Sequence, residues 1–182
     1  MAGFTHLHLH TQYSLLDGFA KIDQMLDRVL ERGMDSVAIT DHGNMVGVME
    51  INKKAKAKGI KPIIGCEVYL TPGSYLDKGP DDKTRHHLIL LAKDQDGYQN
   101  LIKIVSEGYV NGFYYKPRVD KSVLRKYSSG IFCLSACLGG EIPRLLREGQ
   151  YDQAKEACLE YQDIFGQGNF FLELQDHGLM EQ

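Results

Sequence analysis

Near the amino terminus, FTHLHLHT sets His6, His8 and His10 at every second position before Thr11, and this spacing limits what the chain can become. Alternate side chains of an extended strand share a face, so the three imidazoles are expected to point the same way. Each carries two ring nitrogens that need partners once buried, which makes such a face expensive in an ordinary core. A metal ion would satisfy those nitrogens directly, because neutral imidazole ligates zinc, manganese and iron. Solvated histidines on an exposed edge strand fit the same stretch, so the rest of the chain has to decide.

Downstream, Ile22, Met25, Leu26, Val29 and Leu30 recur at helical spacing up to Gly33, and the buried strand SVAIT then delivers Asp41-His42-Gly43-Asn44. A second helix is expected from about 45 to 58, and IKPIIG follows as a third apolar element that delivers Cys66 and Glu67. Helices alternating with short apolar strands predict a mainly parallel sheet or barrel, whose site groups gather where strands end. HHLILLA places its histidines first, which fits that rule only if residues 86–92 return antiparallel to the strand before them. A helix over 96–108 comes next, followed by GFYYKPRVD, where aromatic and basic residues interleave as they can in a nucleic-acid contact or in a loop that covers the core. IFCLSAC then brings Cys137 to a strand end, a helix covers 151–165 with Cys158 on its core face, and NFFLELQDHG supplies Gln175, Asp176 and His177.

No apolar run approaches the roughly 20 residues of a membrane-spanning helix, and a cytosolic protein with reduced thiols is expected from four cysteines without CxxC spacing. A formal net charge of -3 argues against non-specific nucleic-acid binding by the whole chain, although a local basic groove remains possible. The lysines at 53, 54, 56, 58 and 61 read as the solvated face of the second helix.

Collected by position, the strand ends offer His8, His10, Asp17, His42, Glu67, His87 and Cys137. These exceed the needs of one tetrahedral ion and suit a cluster of two or three metals. The motifs LHLHT, SLLDG, AITDHGN, IIGCEVYL, HLILLA, GFYYKPR and LSACLGGEI, in this order, resemble the polymerase and histidinol phosphatase (PHP) domain family, in the form found at the amino terminus of bacterial DNA polymerase III alpha subunits. The resemblance implies an α/β fold, a distorted (β/α)7 barrel that is incomplete in a single domain spanning residues 1–182. It implies that the seven residues named above are the metal ligands, with His6 outside the motif, and that His87 is preferred to His86 because it directly precedes the LILLA run. Members of the family also use a late Asp-x-His pair, expected beyond residue 182, so the chain reads as a fragment that would be marginally stable or self-associating.

The resemblance further implies phosphoester hydrolysis by two or three divalent ions, zinc or manganese, with the Cys137 thiol favouring zinc. The expected substrate is the 3′ end of a DNA strand and the expected outcome 3′ to 5′ proofreading, with Lys116 and Arg118 guiding the DNA. Other subunits of the replicative polymerase holoenzyme are the expected partners, and polymerisation belongs to the parent protein. A metal-stiffened structural module for the polymerase, or a free-standing small-molecule phosphatase, are the alternatives; GFYYKPR and LSACLGGEI weigh against the second.

Overall fold

The computed structural model describes residues 3–15, 17–80 and 82–180. In chain order, α1 (Ile22–Glu31), β1 (Ser36–Ile39) and α2 (Val48–Ala57) lead into the long strand β2 (Lys61–Leu70). Then come β3 (His86–Ala92), α3 (Gln95–Val110), β4 (Phe113–Tyr114), β5 (Lys116–Val119) and α4 (Lys121–Tyr127). The chain continues through β6 (Ile131–Leu134), α5 (Glu141–Arg147), α6 (Tyr151–Phe165) and β7 (Phe170–Phe171). This is the mixed α/β architecture that the alternating pattern predicts.

β2 is the centre of the sheet. Its first half pairs in parallel with β1, Ala38 opposite Ile63, while its far end pairs in parallel with β5, Tyr69 opposite Arg118. Its other edge runs antiparallel to β3, with His87 opposite Tyr69, so 86–92 does return along the strand before it. β3 continues antiparallel to β6, which pairs in parallel with β7. The sheet is therefore mixed rather than mainly parallel, because one hairpin reverses the direction of β3.

The apolar run in β3 is buried on both faces, as its composition requires. Leu88 and Leu90 join the main core with Leu101, Ile104 and Tyr161 from the covering helices. Ile89 and Leu91 face the other way, against Ala38 and Leu134. A second core forms where α1 and α2 pack on β1 through Leu26, Val29, Val37 and Ile51. Lys54 bridges Asp23 and Glu50, and Lys58 bridges Asp27, on the outer side of these two helices. Exposed pairs of this kind are screened by solvent and contribute little, so apolar burial decides the packing.

Two local expectations are corrected. Residues 6–10 do not form a strand: the chain bends at Leu7 and His8, although Ala38 N–H donates to His6 O and Thr40 N–H to Leu9 O on either side of the bend. The bend breaks the alternation, so His6 is exposed and stands edge-on to Phe4 while His8 and His10 turn inward. The segment GFYYKPRVD is a tight hairpin of β4 and β5, turned at Tyr115 with a left-handed φ of 59°.

Arg118 is the largest fully buried side chain of the fold. Its guanidinium donates to the carbonyls of Gly112, Asp77 and Asp82, tying the 72–85 loop to β5. With no exposed surface and its guanidinium held by three backbone carbonyls and the Tyr114 ring, Arg118 cannot meet a DNA phosphate, and its expected nucleic-acid role is withdrawn. Hydrogen bonds from a charged donor, about 1.5–3 kcal/mol each, explain why an arginine is tolerated there.

Candidate metal centre

Glu67 lies on β2 with no exposed surface. Its backbone is held on the side of His42, where Gly43 N–H donates to Glu67 O at 2.7 Å and Glu67 N–H to Asp41 O at 3.1 Å. That close approach needs Gly43, which has φ +63° and a Cα on which an added Cβ would lie 2.9 Å from Pro117 and 3.0 Å from the Tyr69 ring. Across the sheet, His87 faces the loop after β6, where Gly139 O accepts from its N–H at 3.0 Å. Ala136 takes φ 63° directly before Cys137, a conformation uncommon outside glycine and worth noting beside a site.

The carboxylate of Glu67 stands between four imidazoles. Its Oε2 is 2.8 Å from His8 Nε2 and 3.5 Å from His10 Nε2, and its Oε1 is 2.6 Å from His42 Nδ1 and 2.8 Å from His87 Nδ1. The donor atoms fall into two groups, His8, His10 and Glu67, and His42, Glu67 and His87, each compact enough for one ion. In the first group the two histidine nitrogens are 3.2 Å apart, close to the roughly 3.3 Å between donors that each lie about 2.0–2.1 Å from a tetrahedral zinc. Glu67 Oε1, His42 Nδ1 and His10 Nδ1 are buried without a hydrogen-bond partner. Buried polar atoms left so close together and unaligned are costly to a fold, and a shared cation would satisfy Glu67 Oε1 and His42 Nδ1. The donor set therefore fits divalent metals.

The remaining two residues extend this cluster at its ends. Asp17 Oδ2 meets His42 Nε2 at 2.8 Å, and Cys137 Sγ lies 3.6 Å from His87 Nδ1. All seven residues expected from the sequence thus line one continuous set of contacts and one cavity. His86 points into the core instead and is 3% exposed.

The charges follow from this arrangement. Burial pushes Glu67 up, but the imidazoles of His10, His42, His8 and His87 around it outweigh burial and hold the carboxyl well below the usual carboxylate range. Burial also pulls His8 and His87 down. Hydrogen bonds to Glu173 and Glu67 nevertheless hold His8 up at about 10, and bonds to Cys137 and Glu67 hold His87 up at about 9. His42 is raised in the same way by Glu67 and Asp17 against its burial. Burial raises the Cys137 thiol, yet the His87 and Gly139 contacts bring it below its ordinary value. His86, buried without a carboxylate contact of this kind, is lowered.

The PHP domain family matches residues 6–177. The chain belongs to that family. Relatives of this PHP domain include the DNA polymerase III subunit alpha of Borreliella burgdorferi, 49% identical over 98% of the chain and 16% of that protein. The subunit alpha of Thermus aquaticus is 47% identical over 98% of the chain and 15% of its own length. The chain thus spans about one sixth of the curated relatives that it matches. A two-domain protein from Bacteroides vulgatus containing a predicted PHP-like metal-dependent phosphoesterase is 14% identical, with a TM-score of 0.45 over 86% of this chain and 48% of that one, a likeness too slight to bear on function.

Several residues of the PHP domain that sequence reasoning passed over support the cluster. Asp41 is 1% exposed and accepts from Thr11 N–H at 2.6 Å, Thr11 Oγ1 at 2.8 Å and Ser14 Oγ at 2.8 Å. Ser14 Oγ in turn accepts from His42 N–H at 3.1 Å. Asp41 therefore fixes the backbone on both sides of the site, next to His10 through Thr11 and next to His42 by chain adjacency. Its only sequence signal is its place in TDHG.

Glu173, just past β7, meets His8 Nδ1 at 2.7 Å, and Gln175 Nε2 reaches both Glu173 Oε1, at 2.7 Å, and His8 Nδ1, at 3.1 Å. The Glu173 backbone N–H donates to Ser135 Oγ at 2.9 Å. A carboxylate on the far nitrogen of a ligating imidazole sets the ring's orientation and tautomer, and loss of such a partner costs about 10–100-fold in metal affinity. Glu173→Ala is expected to weaken the His8/His10 position by that factor and to leave the His42/His87 position unchanged. Calorimetric metal titration of the metal-free chain checks this, and two unaltered binding steps would contradict it.

A cavity of about 1740 Å³ runs from the imidazoles along the inner face of the sheet, past Ile63 and Phe132, to Lys61 and Tyr98 at the opposite end. Lys116, the other residue expected to guide DNA, is half-buried at the start of β5 with its ammonium 5.7 Å from the centre of the Tyr69 ring. Among the described residues no helix is long and apolar enough to cross a membrane.

Proposed function

We propose that this PHP domain is a divalent-metal phosphodiesterase that removes nucleotides from the 3′ end of DNA, within a cytoplasmic replicative polymerase alpha subunit. The single observation that carries this reading is the Glu67 carboxylate, with two imidazoles on each oxygen and its buried Oε1 left without a hydrogen bond. His8, His10 and Glu67 would hold one zinc or manganese ion, and His42, Glu67 and His87 a second. Asp17, at His42, and Cys137, at His87, would complete the set, and a third ion would depend on them. Cations held in this way polarise phosphoryl oxygens and lower the pKa of water from 15.7 to about 7.

The chain's own residues provide the geometry. Glu67 fixes the spacing of the two positions because one rigid carboxyl group serves both. Asp41 and Glu173 hold the backbone and the imidazoles, so that little reorganisation is needed on binding. In the overall reaction a water oxygen joins phosphorus, the bond to the 3′ oxygen of the preceding nucleotide breaks, and that oxygen takes a proton to leave a nucleoside 5′-monophosphate. The polymerase relatives support DNA as the substrate and other replicative subunits as partners.

A second reading, a metal-stiffened structural module, is favoured by one observation: the bond between His8 and Glu173 joins the amino-terminal segment to the segment after β7, so metal on His8 would lock the two together. Incubation of the metal-loaded chain with 5′-labelled single-stranded DNA separates the two. The nuclease reading expects stepwise shortening from the 3′ end that a chelator abolishes. Intact DNA beside a full metal complement would leave the structural reading.

A further inference from the structure

Several cations on the helices of this domain are paired with carboxylates. Lys54 contacts Asp23 and Glu50, Lys121 contacts Glu141 and Glu160, and Arg125 contacts Glu160 and Asp163. Arg85 and Lys116 are not: among the described residues neither has an acidic partner, and Arg85 donates only to the carbonyl of Lys83. Both stand at one ring. The Arg85 guanidinium carbon is 5.9 Å, and the Lys116 ammonium 5.7 Å, from the centre of Tyr69. Tyr69 is also the aromatic neighbour of the metal centre, stacked on His42 with ring centres 6.2 Å apart and edge-on to His87 at 5.4 Å. Lys83 extends the same positive rim, 5.5 Å from the Tyr115 ring.

The sheet explains why these groups meet. Tyr69 on β2 is paired with His87 on β3 and with Arg118 on β5, so Arg85 just before β3 and Lys116 at the start of β5 converge on it from either side. The rings hold the cations without neutralising them, since a cation against an aromatic face keeps its full charge. Neither cation lines the cavity; both stand one ring, Tyr69, away from His42 and His87.

We propose that Arg85 and Lys116, gathered around Tyr69, form a phosphate-binding rim that grips the nucleic acid backbone beside the metal centre. The proposal deepens the phosphodiesterase reading and rests on it for the identity of the ligand. A strand with one phosphate at the imidazole cluster would present its neighbouring phosphate to these two cations. The rim therefore distinguishes a polynucleotide from a mononucleotide, which has no second phosphate to offer.

Equilibrium binding of single-stranded DNA, measured against salt concentration with and without zinc, tests the rim. Each single-strand phosphate contact contributes about 0.7 to the slope of log affinity against log salt. Arg85→Ala and Lys116→Ala are each expected to reduce the slope by about 0.7, and the double variant by about twice that, with metal stoichiometry unchanged. Lys53→Ala, an equal change of charge on exposed α2 surface, is expected to leave the slope alone. Arg85→Gln and Lys116→Gln give the same reading should either alanine variant misfold. In turnover, the rim variants raise KM for DNA and leave hydrolysis of a mononucleotide ester unchanged.

Unchanged slopes in the Arg85 and Lys116 variants, or an equal loss in Lys53→Ala, would overturn the proposal. Because the slope is read from binding alone, DNA held through these cations but never cut would sink the nuclease reading and leave the rim standing.

Discussion

Replacing Glu67 with glutamine is expected to abolish metal binding at both positions, because both depend on the same carboxylate. An amide brings no charge and turns one oxygen into a donor, which faces two imidazole nitrogens that a cation also needs. Even outer partners of a metal site cost about 10–100-fold in affinity when lost, so removal of the shared group is expected to exceed about 100-fold at each position. The metal-free chain also suffers, since the imidazoles that surround Glu67 lose the charge that compensates their burial. Removing one member of a buried ionic network costs about 3–5 kcal/mol. His10→Ala is the contrasting variant and is expected to lose only the position it shares with His8. Metal titration of the two variants decides the matter: one surviving binding step in Glu67→Gln would show that the carboxylate is not shared.

Without metal, the fold is expected to be most stable in mildly acidic solution. His8 is held up at about 10 and His87 at about 9, against an ordinary value of 6.5. A group raised in the folded state contributes its full stability below its unfolded pKa and loses it as pH rises through the folded one. The contribution of these imidazolium groups is therefore whole below about 6.5 and fades up to pH 9–10. Glu67 has the opposite sign. Its lowered carboxyl contributes above its ordinary value of 4.5 and loses that contribution as acid is added. The metal-free optimum falls between those ordinary values.

Metal reverses the alkaline limb, because a cation competes with the proton for the same nitrogens. Thermal melts across that range, in chelator and in zinc, are expected to slope in opposite directions above about pH 6.5. A metal-free melting temperature that rises toward pH 9 would contradict the charge assignment.

The parts of this domain that were legible in the sequence are those set by short-range pattern. Leu26 and Val29 mark α1 by spacing, the β-branched run at 36–40 marks β1, and the histidines at the start of HLILLA require β3 to run back along β2. His42 and Glu67 could be grouped because each follows an apolar run, although Glu67 lies inside β2 and not at its end. What escaped depends on contacts made far along the chain. The bend that turns His6 out is fixed by β1, some thirty residues later. Glu173 reaches His8 across a separation of 165 residues, and nothing in FFLELQ marks that glutamate over its neighbours. Arg118 was misjudged because a cation among aromatics looks exposed until the loop at 77–82 is seen to close over it. Arg85 carries no signal in the sequence, because what sets it apart is its place against Tyr69 beside His42 and His87.

The central claim is that one buried carboxylate organises a two-metal phosphodiesterase. Elemental analysis of the purified chain, with cleavage of single-stranded DNA assayed on the same sample before and after chelation, tests it most directly. At least two zinc or manganese ions per chain are expected, with loss of 3′ shortening when they are removed and recovery when they are restored. A chain that carries fewer than two ions, or that cuts DNA equally well after chelation, would contradict it.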